Sequence, residues 1–277
     1  MRGYLLISES YRLDEKAPIP LILCYNRAKE QKEGKMYSIE TSQLTKRYKD
    51  VTAVDGLDMK VLDGEIFSLL GVNGAGKTTA IRMLSSLTQP TSGTARVGGH
   101  DLINDSEEIK KIIAISPQET AVAPGLSVKE NLELIAGLFG FTREQRDEKI
   151  RELFETFGLS SVLGKRAGKL SGGWQRRLSI AMALISEPKI LFLDEPTLGL
   201  DVIARSELWE VIRSLKGKAT VILTTHYMEE AEALSDRIGI MKDGKLLTVG
   251  TAREIMDMTG KDRFEDAFVS VVRGASV

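Results

Sequence analysis

Residues 65–78 read EIFSLLGVNGAGKT, in which an apolar segment runs directly into a glycine-rich loop. The loop, Gly71 to Thr78, fits the pattern G-x-x-x-x-G-K-[ST], and a helix-like segment over 79–87 follows it. A strand, this loop and a helix, in that order, form the context in which the pattern binds the phosphates of a nucleoside triphosphate. The stretch therefore predicts an α/β fold built around a nucleotide.

The residue types in this loop suit a triphosphate. Glycines let the backbone wrap the phosphates with its amide N–H groups pointing inward, and the helix N-terminus adds partial positive charge. We expect Lys77 to contact the β- and γ-phosphates and the Thr78 hydroxyl to ligate Mg²⁺. The residues expected to contact the nucleotide here are Gly71, Asn73, Gly74, Ala75, Gly76, Lys77, Thr78 and Thr79.

A second candidate for a functional segment is the apolar stretch over 190–195, ILFLDE, which ends in two carboxylates. Taken alone, two acids at a strand end suit a solvated strand exit or a helix cap. Beside a phosphate loop, we expect Asp194 to hold Mg²⁺ through water and Glu195 to polarise the attacking water. The pair therefore predicts hydrolysis of the nucleotide.

Apolar, strand-like segments recur along the chain, with helical patterns between several of them. These segments cover Ile112–Ile115, Ile190–Leu193, Val221–Thr225 and Ile238–Met241. The alternation predicts a mainly parallel sheet covered on both faces. The stretch over 128–185 is mostly helical without a clear strand, which predicts a helical subdomain inserted over about 122–185.

The composition argues against several classes of protein. The 277 residues include 38 Lys and Arg against 39 Asp and Glu, so there is no basic surplus for binding nucleic acid. Aromatic residues make up 6%, which argues against a surface that stacks bases. No segment approaches the ~20 apolar residues that span a bilayer. We therefore expect any work at a membrane to depend on a partner protein.

Residues 1–35 differ from the rest, because they combine two prolines and a charged run with no sustained periodicity. The codons AAG-GAG-GGN would encode 32–34 and contain a bacterial ribosome-binding sequence shortly before Met36, so one interpretation is an upstream region translated from an overextended start. The other is a genuine, partly disordered extension. The single cysteine, Cys24, lies here and fits a reducing cytosol. After this segment we predict one domain over 36–277.

Together with the run Leu170-Ser171-Gly172-Gly173, these motifs resemble the ATP-binding-cassette (ABC) ATPases, the nucleotide-binding subunits of ABC transporters. The resemblance covers about residues 38–270, and the motifs occur in the family's order. It implies a P-loop NTPase core with a mainly parallel sheet, an antiparallel β element near the N-terminus and a helical signature subdomain. It also implies ATP as the nucleotide, with Mg²⁺ as the cofactor.

The resemblance assigns roles to three residues outside the phosphate loop. Tyr48 matches the aromatic that stacks on adenine, and its alternative is an ordinary core or surface aromatic. Gln118 matches the glutamine that reaches Mg²⁺ and signals to the membrane partner. His226 matches the histidine that contacts the γ-phosphate, which makes it a catalytic candidate with Lys77 and Glu195.

The run over 170–173 matches the family's signature. Ser171 can cap the following helix, while Gly172 and Gly173 leave its first N–H groups open. A simple capped helix start is the alternative. In the family this helix end faces the γ-phosphate bound by the other protomer, so the resemblance implies a head-to-tail dimer with two composite ATP sites. The loop ending at Asp201 resembles the one that couples those sites.

One residue of the signature departs from the family pattern. Trp174 stands where the family most often has glutamine. Backbone N–H groups and Ser171 are still expected to serve the phosphate. The departure therefore concerns local packing at the dimer seam.

The resemblance implies an ATP-hydrolysing subunit that powers transport through a separate polytopic permease. It would lie on the cytoplasmic face of the membrane and pair with a second copy or a paralogue. The segments over 124–132 and 263–268, with Arg176 and Arg177, resemble the exporter-type subunits, so we favour export over import.

Two other functions compete with transport. A nucleotide-gated module on ribosomes or DNA is disfavoured, because the chain has one cassette, no long coiled-coil or zinc insertion and no basic surplus. A P-loop kinase needs an acceptor site, and the sequence contains no motif for one. We therefore expect no nucleic acid partner.

Overall fold

The strand signals of the sequence form two sheets in the computed structural model, which describes residues 36–274. Residues 1–35 and 275–277 lie outside the described part. Both interpretations of the N-terminal segment, and the inference from Cys24, therefore concern residues that are not described.

The elements follow one another in mixed α/β order. The strands are β1 (Tyr37–Tyr48), β2 (Val51–Leu57), β3 (Lys60–Leu62), β4 (Ile66–Leu70), β5 (Ser92–Val97), β6 (His100–Asp101), β7 (Ile113–Ser116), β8 (Ile190–Asp194), β9 (Thr220–Thr225), β10 (Arg237–Lys242) and β11 (Lys245–Gly250). The helices are α1 (Lys77–Leu84), α2 (Ser106–Ile112), α3 (Val128–Leu138), α4 (Arg143–Phe157), α5 (Gly172–Ala183), α6 (Val202–Arg213), α7 (Met228–Leu234), α8 (Ala252–Thr259) and α9 (Phe264–Gly274). Short 3₁₀ turns cover Leu159–Val162 and Ala167–Lys169.

The predicted strands lie within one residue of their predicted bounds, whereas the helix after the glycine loop ends earlier than its predicted segment over 79–87. It begins at Lys77, where Gly76 forms its N-cap with φ 99°. It ends at Leu84 rather than at residue 87, since Ser86 takes a left-handed φ of 58° just beyond the C-cap.

The larger sheet has six strands in the order β11-β10-β4-β9-β8-β7. Its pairs from β10 to β7 are parallel, and β11 joins β10 antiparallel. Every residue of β4, β8 and β9 is buried. Such uninterrupted apolar runs are typical of parallel strands covered on both faces. The prediction of a mainly parallel sheet is confirmed.

The smaller sheet is antiparallel, with the order β2-β1-β5-β6 and with β3 also paired to β1. It packs with α1 on one face of the larger sheet: Ile39 and Val54 share an apolar cluster with Phe192 of β8. Alternate residues of β8, such as Leu191, enter a second cluster on the other face. The antiparallel element near the N-terminus is therefore also confirmed.

Helices dominate the chain between β7 and β8. The described residues 117–189 contain α3, α4, α5 and two 3₁₀ turns, and one isolated bridge from Ser127 to Arg166 is their only extended pairing. Leu132, Leu153 and Leu178 share the apolar cluster of Leu191. These helices are thus anchored to one face of the sheet. The domain bounds 36–277 and 122–185 remain predictions.

The parallel strands fix where the functional loops meet. Register pairs Leu70 with Thr225 and Asp194 with Thr224, so the carboxyl ends of β4, β9 and β8 lie side by side. Ligands of open α/β sheets bind at this edge. Of the helices between residues 36 and 274, none combines the length and apolarity needed to cross a membrane.

Candidate active site

Two glycines of the phosphate loop are required by close packing. A Cβ at Gly71 would lie 2.4 Å from the Met241 carbonyl oxygen, and one at Gly76 would lie 2.3 Å from that of Ala53. Gly74 and Gly76 also have positive φ, a backbone conformation that residues with a Cβ disfavour. The loop is therefore held between β10 and the antiparallel sheet, with α1 beginning at its end.

Lys77 is buried at the base of the loop. Its Nζ donates to the carbonyl oxygens of Gly71, at 2.7 Å, and Val72, at 3.2 Å. The same ammonium lies 3.4 Å from Glu195 Oε1, and both side chains are less than a tenth exposed. The predicted phosphate-binding lysine and the predicted catalytic carboxylate thus form one buried ion pair.

Asp194 accepts hydrogen bonds from two hydroxyl groups at the end of β8. Its Oδ1 accepts from Thr78 Oγ1 at 3.1 Å and from Thr224 Oγ1 at 2.5 Å. No three His, Cys, Asp or Glu side chains of the described chain are close enough to hold a metal by themselves. Mg²⁺ is commonly bound through one or two carboxylates, waters and substrate phosphates. The adjacent oxygens of Thr78 and Asp194 fit the protein share of such a site.

Glu195 is held from both sides. Its Oε2 lies 2.5 Å from His226 Nδ1, while Oε1 faces Lys77. Its backbone has φ 49°, uncommon for a residue with a side chain, and its N–H donates to Thr224 Oγ1 at 3.0 Å. Strain of this kind costs about 1–3 kcal/mol and persists where the surroundings enforce it. The chain thus orients this carboxylate at the sheet edge.

Sequence reasoning missed Glu230, which lies close to Glu195. This side chain on α7 is fully buried, and its Oε1 accepts from Trp209 Nε1 of α6 at 3.2 Å. Burial raises the pKa of Glu230, and the nearby Glu195 carboxylate raises it further. Its place beside the apolar Ala231 and Leu234 on one helix face was the available signal.

Tyr48 lies at the exposed end of β1, where the hairpin pairs it with Val51. Lys46 Nζ lies 5.0 Å from the centre of its ring. The hairpin reaches the phosphate loop through Ala53, whose carbonyl oxygen closes on Gly76. Tyr48 is thus exposed on the strand pair that borders the loop, and its adenine contact remains a prediction.

Gln118 is exposed just beyond β7, and its side chain makes no hydrogen bond to another residue of the described chain. Its carbonyl oxygen accepts from the guanidinium of Arg176, which also donates to the Pro117 oxygen at 2.6 Å. Arg176 is almost fully buried. Sequence reasoning missed that this residue of α5 fixes the Gln118 loop, because its partners lie almost sixty residues earlier.

Ser171, Gly172 and Gly173 start α5 on the surface. Ser171 is the N-cap residue, but its side chain accepts no hydrogen bond from the helix. The side-chain cap that the sequence allowed is therefore not formed, and Ser171 is exposed. Among the hydrogen bonds and ion pairs of the described residues, none links this run to the phosphate loop; Gly173 lies beside Ala204 of α6.

Asp201 is exposed at the start of α6. Its side chain accepts from the Ala204 N–H at 2.9 Å and caps the helix. One edge of the sheet therefore brings together Lys77, Thr78, Asp194, Glu195 and His226. The starts of two neighbouring helices carry Ser171 and Asp201.

The sequence of this chain is similar to sequences of known proteins. The sequence pattern of the family described as ABC transporter matches residues 54–198. The daunorubicin/doxorubicin resistance ATP-binding protein DrrA of Streptomyces peucetius is 41% identical over 226 residues, which cover 81% of this chain and 68% of that protein.

Solved structures share the fold. One is the ATP-binding subunit of an ABC transporter, with a TM-score of 0.75 and 28% identity over 84% of this chain and 98% of that one. Another is a dimeric ATP-binding cassette in a post-hydrolysis state with ADP and Pi, with a TM-score of 0.69 and 27% identity over 77% of this chain and 98% of that one. The chain described here therefore belongs to the ABC transporter family, as one of its ATP-binding, ATP-hydrolysing members.

Proposed function

We propose that this chain powers export across a membrane through a separate polytopic permease, and that it works as a head-to-tail dimer with two composite ATP sites. One observation carries the proposal. The residues suited to phosphate chemistry converge at one sheet edge, while the exposed start of α5 offers further N–H groups elsewhere on the same chain. Each chain then holds two complementary half-sites.

Glu195 acts as the base that polarises the attacking water in this proposal. His226 orients its Oε2, and Lys77 faces its Oε1. On ATP binding, the Lys77 ammonium exchanges its loop carbonyls and Glu195 for the β- and γ-phosphates. That exchange leaves one carboxylate oxygen of Glu195 free for water.

Mg²⁺ would be held by Thr78, Asp194 and Gln118, with Asp194 acting through water. The ion supplies charge neutralisation at the β- and γ-phosphate oxygens when bound. The hydroxyl of Thr224 fixes the Asp194 carboxylate, and Arg176 fixes the backbone at Gln118. These contacts set the ligands before the nucleotide arrives, which lowers the cost of ordering them.

The partner's half of each site is the start of α5. Its first N–H groups are orphan donors at the positive end of the helix dipole, and they suit a γ-phosphate. Ser171 adds an exposed hydroxyl. ATP then joins two chains, which agrees with the dimeric state of a solved structural relative.

Export through a permease is supported by the relatives. The name of the Streptomyces protein associates it with resistance to daunorubicin and doxorubicin, which export of a drug would explain. A structural relative is described as the ATP-binding subunit of a transporter. In this proposal the chain docks on its permease at the cytoplasmic face, with a second copy or a paralogue beside it.

The proposed chemistry is tested with Glu195→Gln. We expect the variant to bind ATP as the parent does, but to hydrolyse it about 10²-fold more slowly or worse, because an amide is a poor base. Glu187→Gln is the matched control, since Glu187 is exposed and pairs with Lys149 at the surface. Unchanged hydrolysis in Glu195→Gln would remove Glu195 from its role.

The proposed partner is tested by affinity purification of the tagged chain from its own cells in mild detergent. Co-purification of a polytopic membrane protein supports transport. Recovery of ribosomes or DNA in its place would contradict it and favour a nucleotide-gated binding module.

A further inference from the structure

The starts of α5 and α6 lie side by side. A methyl group at Gly173, in the first turn of α5, would lie 3.0 Å from the Cβ of Ala204, in the first turn of α6. Ser171 and Asp201, the two N-cap residues, are both exposed at this corner. The segments that the proposed function presents to the partner chain are therefore packed against each other.

An ion pair spans the same two helices one turn further along. Arg177 lies four residues after Gly173, and Glu207 lies three after Ala204, so each pair shares a helix face. The Arg177 guanidinium donates to Glu207 Oε2 and, at 3.4 Å, to the Phe157 carbonyl oxygen of α4. The Arg177 side chain is 11% exposed and the Glu207 side chain 57% exposed.

Trp174 packs next to this ion pair. The Arg177 guanidinium carbon lies 5.0 Å from the centre of the Trp174 ring, within cation–π distance. The ring also packs against the apolar cluster that contains Leu178 and Leu208. It thereby restricts Arg177 and shields one side of the ion pair from water. This contact gives a physical role to the residue that departs from the family pattern.

We infer that Trp174, Arg177 and Glu207 form a bracket that fixes the start of α5 relative to the start of α6. Ser171 and Asp201 then meet the partner chain as one preorganised unit. The bracket residues are positioning residues, since their contacts are to each other and to the helices. The inference rests on the proposed head-to-tail dimer.

The bracket is expected to affect association of two chains and not ATP binding by one. A flexible pair of helix starts must be ordered when the dimer forms, and that cost appears in the dimer dissociation constant. The phosphate loop is built from other contacts, so the ATP affinity of the monomer should stay unchanged. If the bracket only stabilised the fold, its loss would not change the dimer dissociation constant while leaving the ATP affinity of the monomer unchanged.

The test measures both constants in the Glu195→Gln protein, by sedimentation with ATP and by ATP titration at low protein concentration. Adding Glu207→Gln should weaken the ATP-dependent dimer about threefold or more, as expected for loss of a partly exposed ion pair. Adding Glu210→Gln is the matched control, because Glu210 is exposed on the same helix and pairs with Arg213 of that helix. The control should leave the dimer unchanged.

A double substitution tests whether the bracket acts as a unit. Arg177→Met should weaken the dimer at least as much as Glu207→Gln, and the two together should cost less than the product of their separate effects. Trp174→Ala should act in the same direction. Equal dimer dissociation constants for Glu207→Gln and Glu210→Gln would overturn the inference. So would a loss of ATP affinity in the Glu207→Gln monomer that equals its loss of dimer affinity. If the Glu195→Gln parent itself forms no ATP-dependent dimer, the proposed function fails instead.

Discussion

Single backbone positions limit what this site tolerates. Gly76 combines φ 99° with a carbonyl oxygen 2.3 Å from where a Cβ would stand, whereas Gly99 has φ 84° and open space around that point. Glu195 has a left-handed backbone conformation although it carries a side chain, and the Thr224 hydroxyl accepts a hydrogen bond from its N–H. The site is thus built from main-chain geometry as much as from charged groups.

Gly76→Ala is expected to lower the free energy of unfolding by about 2–5 kcal/mol, since left-handed strain and a backbone clash add. It should also abolish ATP binding, because relieving the clash moves the loop. Gly99→Ala carries the strain without the clash and should cost about 1 kcal/mol. Urea unfolding and ATP titration of both variants measure this difference. Equal losses in the two variants would show that the close approach of Ala53 is unimportant.

At the scale of elements, a buried acid joins α6 and α7. Glu230 of α7 accepts from Trp209 of α6, and burial raises its pKa. The protonated form is therefore favoured in the folded chain relative to the unfolded one. As pH rises from the ordinary glutamate pKa through the raised one, the folded state loses stability relative to the unfolded state.

Glu230→Gln removes this titration and keeps an oxygen to accept from Trp209. Relative to the parent, the variant should become more stable as pH rises from 5 to 8, with little difference at the acidic end. Glu229→Gln, at the exposed neighbouring position, should show no such trend. Urea unfolding at both pH values checks this. A stability difference that does not change with pH would contradict a raised pKa of Glu230.

The sequence was sufficient for the elements that local pattern controls. The apolar runs of β4, β8 and β9 predicted a parallel sheet, and the glycine loop predicted the edge at which Lys77 and Glu195 meet. The hydrogen bonds of Glu230 and Arg176 were not predictable, because their partners lie 21 and almost sixty residues away. Only the fold brings such groups together.

One helix end was also beyond local pattern. The helix α1 stops at Leu84, since Ser86 takes a left-handed φ just beyond it. Ser171 was correctly placed at a helix start, but the direction of its hydroxyl depends on the surface around it. The placement of the candidate residues at strand ends, loops and helix starts was thus predictable, whereas most of the contacts that orient them were not.

At the scale of the whole molecule, the proposed composite site divides between two surfaces of the chain. One is the sheet edge with Lys77, Asp194 and Glu195; the other is the paired start of α5 and α6 with Ser171 and Asp201. Among the described residues of one chain, no hydrogen bond or ion pair joins them. The proposed dimer brings each surface to the complementary surface of a second chain, so both sites are completed together.

The most direct measurement is the mass of the Glu195→Gln protein with and without ATP, by light scattering, combined with a count of bound ATP. We predict a dimer with two ATP in the parent. Adding Ser171→Arg should leave a monomer that still binds one ATP, while Ser160→Arg, at another exposed position, should keep the dimer. A dimer unaffected by Ser171→Arg, or a monomer that no longer binds ATP, would contradict the composite site.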